Sequence, residues 1–109
     1  MKISFDEIDE TVFDHFFDGD GSYIARMANV NGNKIMRGCL KPGCSIGVHT
    51  HTKACEFVFI LSGYGKAICE GVEERLSPGD CHHCPEGGTH TLINSGSDDL
   101  VFYAVVAKQ

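Results

Sequence analysis

From residue 23 onward the chain alternates apolar and polar residues in short stretches, each stopped by glycine, proline, asparagine or aspartate. A period of two marks a strand with one buried face, and the pattern predicts strands over 23–30, 34–40, 45–51, 56–61, 65–69, 74–76, 80–84, 90–94 and 100–107. Asn31-Gly32 predicts a tight hairpin between the first two, because both residue types tolerate positive φ. Ser62-Gly63-Tyr64-Gly65, Ser77-Pro78-Gly79-Asp80 and Glu86-Gly87-Gly88-Thr89 punctuate the rest. Many short strands between such turns predict an all-β sandwich or barrel. With 109 residues the chain makes one domain, 1–109, in which 1–22 is a flanking segment.

That segment breaks the rule. Phe5, Ile8, Val12, Phe13, Phe16 and Phe17 approximate a helical apolar stripe, and Ser4-Phe5-Asp6-Glu7 resembles a capping box. A short strand followed by a turn of helix fits the same residues, and both readings stay open. Further along, Phe57, Phe59 and Leu61 share the outward face of their strand, and 100–106 is apolar on both faces. One interior cannot bury two faces, so a homodimer packed through the outer face is expected in preference to cover by the N-terminal segment.

Charge narrows the partners. Net charge is −6, from 9 Lys and Arg against 15 Asp and Glu, with an early run through Asp6, Glu7, Asp9, Glu10, Asp14, Asp18 and Asp20. Such a face repels phosphate backbones, so nucleic-acid binding is not expected; it reads as a solvated surface. Asp18-Gly19-Asp20-Gly21 looks like a calcium-loop fragment but lacks the later bidentate glutamate, and reads as a turn. No apolar run could span a bilayer and no basic-then-apolar leader opens the chain, so no membrane association and a cytoplasmic location are expected. The six cysteines, 39, 44, 55, 69, 81 and 84, then read as reduced thiols. Cys81-His82-His83-Cys84 could form a second metal knuckle or a redox pair. Extended geometry favours the alternative, with Cys81 and His83 on one face, His82 and Cys84 on the other, the thiols buried and the imidazoles partly exposed. His15, alone among phenylalanines, reads as structural.

The chemistry concentrates elsewhere. His49 and His51 flank one residue of a strand and so share a face, a chelating pair. Glu56 opens the next apolar run and can return a carboxylate to that face, while His90 opens another strand after a Pro/Gly turn. Three imidazoles and a carboxylate suit Fe, Mn, Ni, Cu, Co or Zn far better than Ca or Mg. If the histidines point inward, small Ser45 and Gly47 leave space beside the metal. Val58 and Ile60 then accompany Glu56, and Leu92 and Asn94 accompany His90, either bordering a ligand or filling core.

Around these residues the punctuation reads Gly43, five residues, His49-Thr50-His51, four residues, Glu56, six residues, Gly63, then Gly79, five residues, Pro85, one residue, Gly87, two residues, His90, three residues, Asn94. This resembles the two motifs of the cupin superfamily, motif one at 43–63 and motif two at 79–94, with every fixed position present. The resemblance implies a small antiparallel double-stranded β-helix, or jelly-roll, barrel holding one divalent metal per chain at His49, His51, Glu56 and His90. It covers isomerases, lyases, decarboxylases, dioxygenases and proteins without catalysis, so fold alone does not select a reaction. The expected function is a metal-dependent enzyme acting on a small oxygen-bearing metabolite, the alternative a non-catalytic metal-dependent binding or sensing module. No separate acid or base stands out; Tyr64, Tyr103, Arg37 and Glu74 are candidates without positional support.

Overall fold

The computed structural model describes residues 1–109. Ten strands follow in order: β1 (Thr11–Asp14), β2 (Ser22–Val30), β3 (Asn33–Leu40), β4 (Ser45–Thr50), β5 (Ala54–Ser62), β6 (Gly65–Cys69), β7 (Val72–Leu76), β8 (Cys81–Cys84), β9 (Thr89–Ile93) and β10 (Leu100–Lys108). They form two antiparallel sheets, one of six strands in the order β1-β2-β3-β10-β5-β8 and one of four in the order β4-β9-β6-β7. The Asn31-Gly32 turn closes the β2–β3 hairpin with φ of 52° and 84°, the positive values that the dipeptide predicts.

The core lies between the sheets. Tyr23, Ala25, Met36, Leu40, Val58, Ile60, Leu100, Phe102 and Ala104 come from the large sheet, and Ile46, Ala67, Leu76 and Leu92 from the small one. Alternation therefore does what the sequence predicts on β5, where Val58 and Ile60 are buried while Phe57, Phe59 and Leu61 face out, 36%, 45% and 42% exposed. Truncating a fully buried ring such as Phe102, which packs on Tyr23, opens a cavity in that core, a loss of about 3–5 kcal/mol.

The first 22 residues form no helix of the stripe type. They hold a single 3₁₀ turn at Phe5–Glu7, strand β1 paired with β2, and a second 3₁₀ turn at Phe16–Asp18. Ser4 makes no side-chain cap. Phe5 instead packs against Tyr103 on the outer face of β10, with ring centroids 5.3 Å apart, and Arg37 pairs with Asp6 at 2.6 Å. The stripe fails because His15, Phe17 and Asp18 adopt left-handed backbone, φ 51°, 52° and 61°, which turns the chain sharply back over β4.

Candidate metal centre

Register places the side chains. β4 and β9 are antiparallel neighbours in which His49 stands directly across from His90. His51 lies just past β4, where its N–H donates to the Gly88 carbonyl at 3.0 Å and its own carbonyl accepts from Gly87 N–H at 2.8 Å. Glu56 comes from the other sheet, on β5 between Val106 of β10 and Cys84 of β8. The four side chains meet in the gap between the sheets, and one ligand atom of each lies within 4.8 Å of all the others.

The separations carry chemical meaning. His51 Nε2 is 3.0 Å from Glu56 Oε1 and 3.0 Å from His90 Nε2, while His90 Nε2 is 2.9 Å from Glu56 Oε1 and 3.1 Å from His49 Nε2. His49 Nε2 to Glu56 Oε1 is longer, 4.0 Å. Donors bound to one ion at roughly 2.1 Å stand about 3.0 Å apart on adjacent positions and about 4.2 Å apart on opposite ones. The cluster thus has the spacing expected of residues that would share a single divalent ion.

Proton positions point the same way. His49 Nδ1 donates to the Gly47 carbonyl at 2.7 Å, leaving Nε2 as a lone pair. Glu74 on β7 accepts from Nδ1–H of His82 at 2.6 Å, so the Nε2 of neutral His82 accepts from Nδ1–H of His90 at 3.0 Å. His90 then also presents an unprotonated Nε2 to the cluster. A carboxylate-to-histidine chain of this kind orients a metal ligand and raises its basicity. Glu56, 8% exposed, meets three imidazoles, those of His49, His51 and His90. Burial disfavours its charge, while hydrogen bonds from His51 and His90 when those rings are protonated outweigh burial and bring its carboxyl down to about 2. A buried carboxylate facing ring-nitrogen lone pairs needs a positive charge among them, either protons or a cation. Burial also holds His49 below the ordinary imidazole value of 6.5, the form in which it can ligate. The donor set therefore fits a divalent transition metal.

Above the cluster opens a cavity of about 320 Å³. Its wall includes Phe13, Phe16, Phe17 and Tyr23, contributed by the N-terminal segment and the start of β2, together with Met36 and Ile46. Phe17 stacks on His49, centroids 4.5 Å apart and planes 13° from parallel. This wall is what sequence reasoning missed: 1–22 is part of the site. Ser45 and Gly47 do not leave space beside the ligands. Ser45 Oγ accepts the Asp20 N–H at 2.9 Å, and a Cβ at Gly47 would collide with the Phe17 carbonyl. An irregularity between Ile46 and His49 breaks the strict alternation, so Ile46 shares the cavity with the histidines. Asn94 is likewise structural, its amide donating to the carbonyls of Leu40 and Asp98.

Residues 81–84 alternate as a strand, with Cys81 and His83 exposed and His82 and Cys84 buried. Two details are corrected: the Cys81 thiol is exposed rather than buried, because it lies on the outward face, and His82, at 1% exposure, is not partly exposed but buttresses His90. Cys84 Sγ lies 3.9 Å from Cys69 Sγ, and all six thiols are free. His15 is structural, its Nδ1 bonded to the Gly19 carbonyl at 3.0 Å. Of the acid and base candidates only Glu74 connects to the cluster; Tyr64, Tyr103 and Arg37 lie outside the cavity wall.

Comparison with known proteins places this geometry. Over 67 residues the chain is 36% identical to an oxalate-binding protein of Thermotoga maritima, a match covering 62% of this chain and 55% of that relative. The chain thus spans about half the length of the curated relative it matches. The structure superposes on that of a predicted oxalate decarboxylase of Thermotoga maritima with a TM-score of 0.93 at 27% identity, covering 100% of both chains. The cupin domain of Schizosaccharomyces pombe Cnp3 shares the fold at 12% identity, TM-score 0.81, over 100% of this chain and 74% of that one. The model of the cupin domain family matches residues 36–106, more than half of the chain and all four clustered residues, and the protein therefore belongs to the cupin domain family.

Proposed function

We propose that the protein is a metal-dependent enzyme acting on a small oxygen-bearing metabolite, with one divalent metal held by His49, His51, Glu56 and His90. The observation that carries this reading is the convergence of three imidazole nitrogens and a buried carboxylate on one point at the floor of a cavity. Such a donor set suits Fe, Mn, Ni, Cu, Co or Zn. When bound, the metal supplies Lewis acidity, or a redox centre, toward oxygen ligands of the substrate. The chain's own residues do the rest. Glu74 and His82 hold His90 in one tautomer, Gly47 does the same for His49, and the aromatic wall gives the cavity an apolar side. The names of the Thermotoga proteins point to small carboxylates as the substrate class.

In this reading residues 1–109 are one cupin unit whose two sheets close as a double-stranded β-helix barrel. The exposed row of Phe57, Phe59 and Leu61 supports a homodimer through the outer face of β5, beyond the patch that Phe5 covers. Six free thiols support a reducing, cytoplasmic setting. No helix is long and apolar enough to cross a membrane. A binding module is the second reading, supported by a cavity wall that offers no acid or base beyond the cluster except Tyr23 and Lys34. Loading the protein with each metal under anaerobic conditions and assaying carboxylic, keto and hydroxy acids for product decides between them. Turnover with one metal, lost in His49→Ala, supports the enzyme; tight binding without product across all metals supports the module.

A further inference from the structure

The cavity is poorly suited to a ligand made only of oxygens. Its volume of about 320 Å³ compares with roughly 30 Å³ for one water molecule and sits at the low end of pockets for drug-sized ligands, roughly 300–1,000 Å³. Four aromatic rings form a continuous row along one side: Tyr23 to Phe13 at 5.9 Å, Phe13 to Phe16 at 4.8 Å, Phe16 to Phe17 at 4.4 Å, ending on His49 at 4.5 Å. The row is built at a cost, since three residues of the turn, His15, Phe17 and Asp18, sit in left-handed backbone, which a phenylalanine in particular disfavours. Half-exposed Phe17 gains little burial in return, being 52% exposed.

A second observation concerns the polar end of the first ring in the row. The hydroxyl of Tyr23, a residue 2% exposed, is buried without a hydrogen-bond partner, and it is close enough to Glu56 for that charge to act on it. Buried hydroxyls are almost always bonded, and this one, closed to solvent as it stands, gains a partner when a ligand oxygen reaches it. Lys34 adds a positive charge at the rim.

Resting on the metal centre proposed above, we infer that the cavity takes a 2-oxo or 2-hydroxy carboxylic acid with an aryl or branched apolar side chain. The neighbouring oxygens of the acid lie at the His49, His51, Glu56 and His90 end, Tyr23 donates its hydroxyl proton to one of them, and the side chain packs on Phe13, Phe16 and Phe17. Oxalate shares the paired oxygens but has nothing to place against the rings.

Calorimetry on the full chain loaded with zinc tests this, with phenylpyruvate, pyruvate and oxalate as probes and zinc content measured first. Phenylpyruvate is expected to bind about tenfold more tightly than pyruvate or oxalate, the scale of one good aromatic contact. Phe17→Ala should erase most of that preference, read as the ratio of phenylpyruvate to pyruvate affinity within the variant, and Phe16→Leu should reduce it. Tyr23→Phe, which keeps the ring, should weaken all three acids several-fold. Oxalate binding as tightly as phenylpyruvate, or a preference that survives Phe17→Ala, overturns the inference alone. A chain that takes up no zinc overturns the metal centre itself, and the inference with it.

Discussion

At His90 the proton count decides the chemistry. Its Nδ1 proton is committed to His82, whose own Nδ1 proton is committed to Glu74, so Nε2 can meet Glu56 only as an imidazolium or across a cation. His82→Ala is therefore expected to weaken metal binding about 10–100-fold, and His82→Asn less, with the far-ultraviolet dichroism unchanged. Competition titration with a chromophoric chelator measures it, and equal affinity in all three proteins would remove His82 from the account. Acid acts on the neighbours. His49 sits below 6.5 and Glu56 is drawn down to about 2 from 4.5, so in both the unfolded chain binds more protons than the folded one as pH falls. The stability that ionised Glu56 gives is present above 4.5 and lost toward 2, and His49 opposes folding progressively below 6.5. The metal-free protein should show a Tm that falls steadily from pH 7 to pH 3, with a shallower fall in Glu56→Gln; a Tm that rises on acidification contradicts these assignments.

At the scale of elements, alternation and turn residues made β2 to β10 legible, with β7, buried only at Leu76, marked chiefly by the turns around it. The same rule gave the faces of Cys81-His82-His83-Cys84 but not their neighbours: that His82 touches Glu74 and His90 depends on how β7, β8 and β9 come together across the two sheets. The helical spacing of phenylalanines left β1 as one of two open readings, the short strand before a turn of helix, and the left-handed backbone of Phe17 has no residue signal to announce it. Nor does a sequence show that Gly47 makes room for a backbone rather than for a ligand. Gly47→Ala should cost roughly 1–3 kcal/mol by forcing the Phe16–Asp18 turn off β4, read as a lower urea midpoint; an unchanged midpoint would mean the two segments are not in contact. A Cys81→Ser/Cys84→Ser double variant should keep its metal content and lose modest stability, because neither thiol belongs to the cluster. Loss of one full equivalent with the four-residue site still filled would establish a second centre on β8.

For the whole molecule, two sheets bury one core between them and leave the outer face of β5 apolar, with Phe59 at 45% exposure on it. Phe59→Asp places a charge where a partner copy would bury it unpaired, so sedimentation should show wild type as a dimer and the variant shifted toward monomer. A monomeric wild type removes that premise without touching the metal site. The site itself stands where the sheets part, three histidines from the small sheet's side and one glutamate from the large one. The account turns on whether they hold an ion together. Elemental analysis of the protein purified without chelators, beside His49→Ala and Glu56→Gln of verified fold, tests this most directly. One equivalent of a divalent transition metal in wild type, falling to a small fraction in both variants, is the expected result; wild-type metal content in the variants would contradict it.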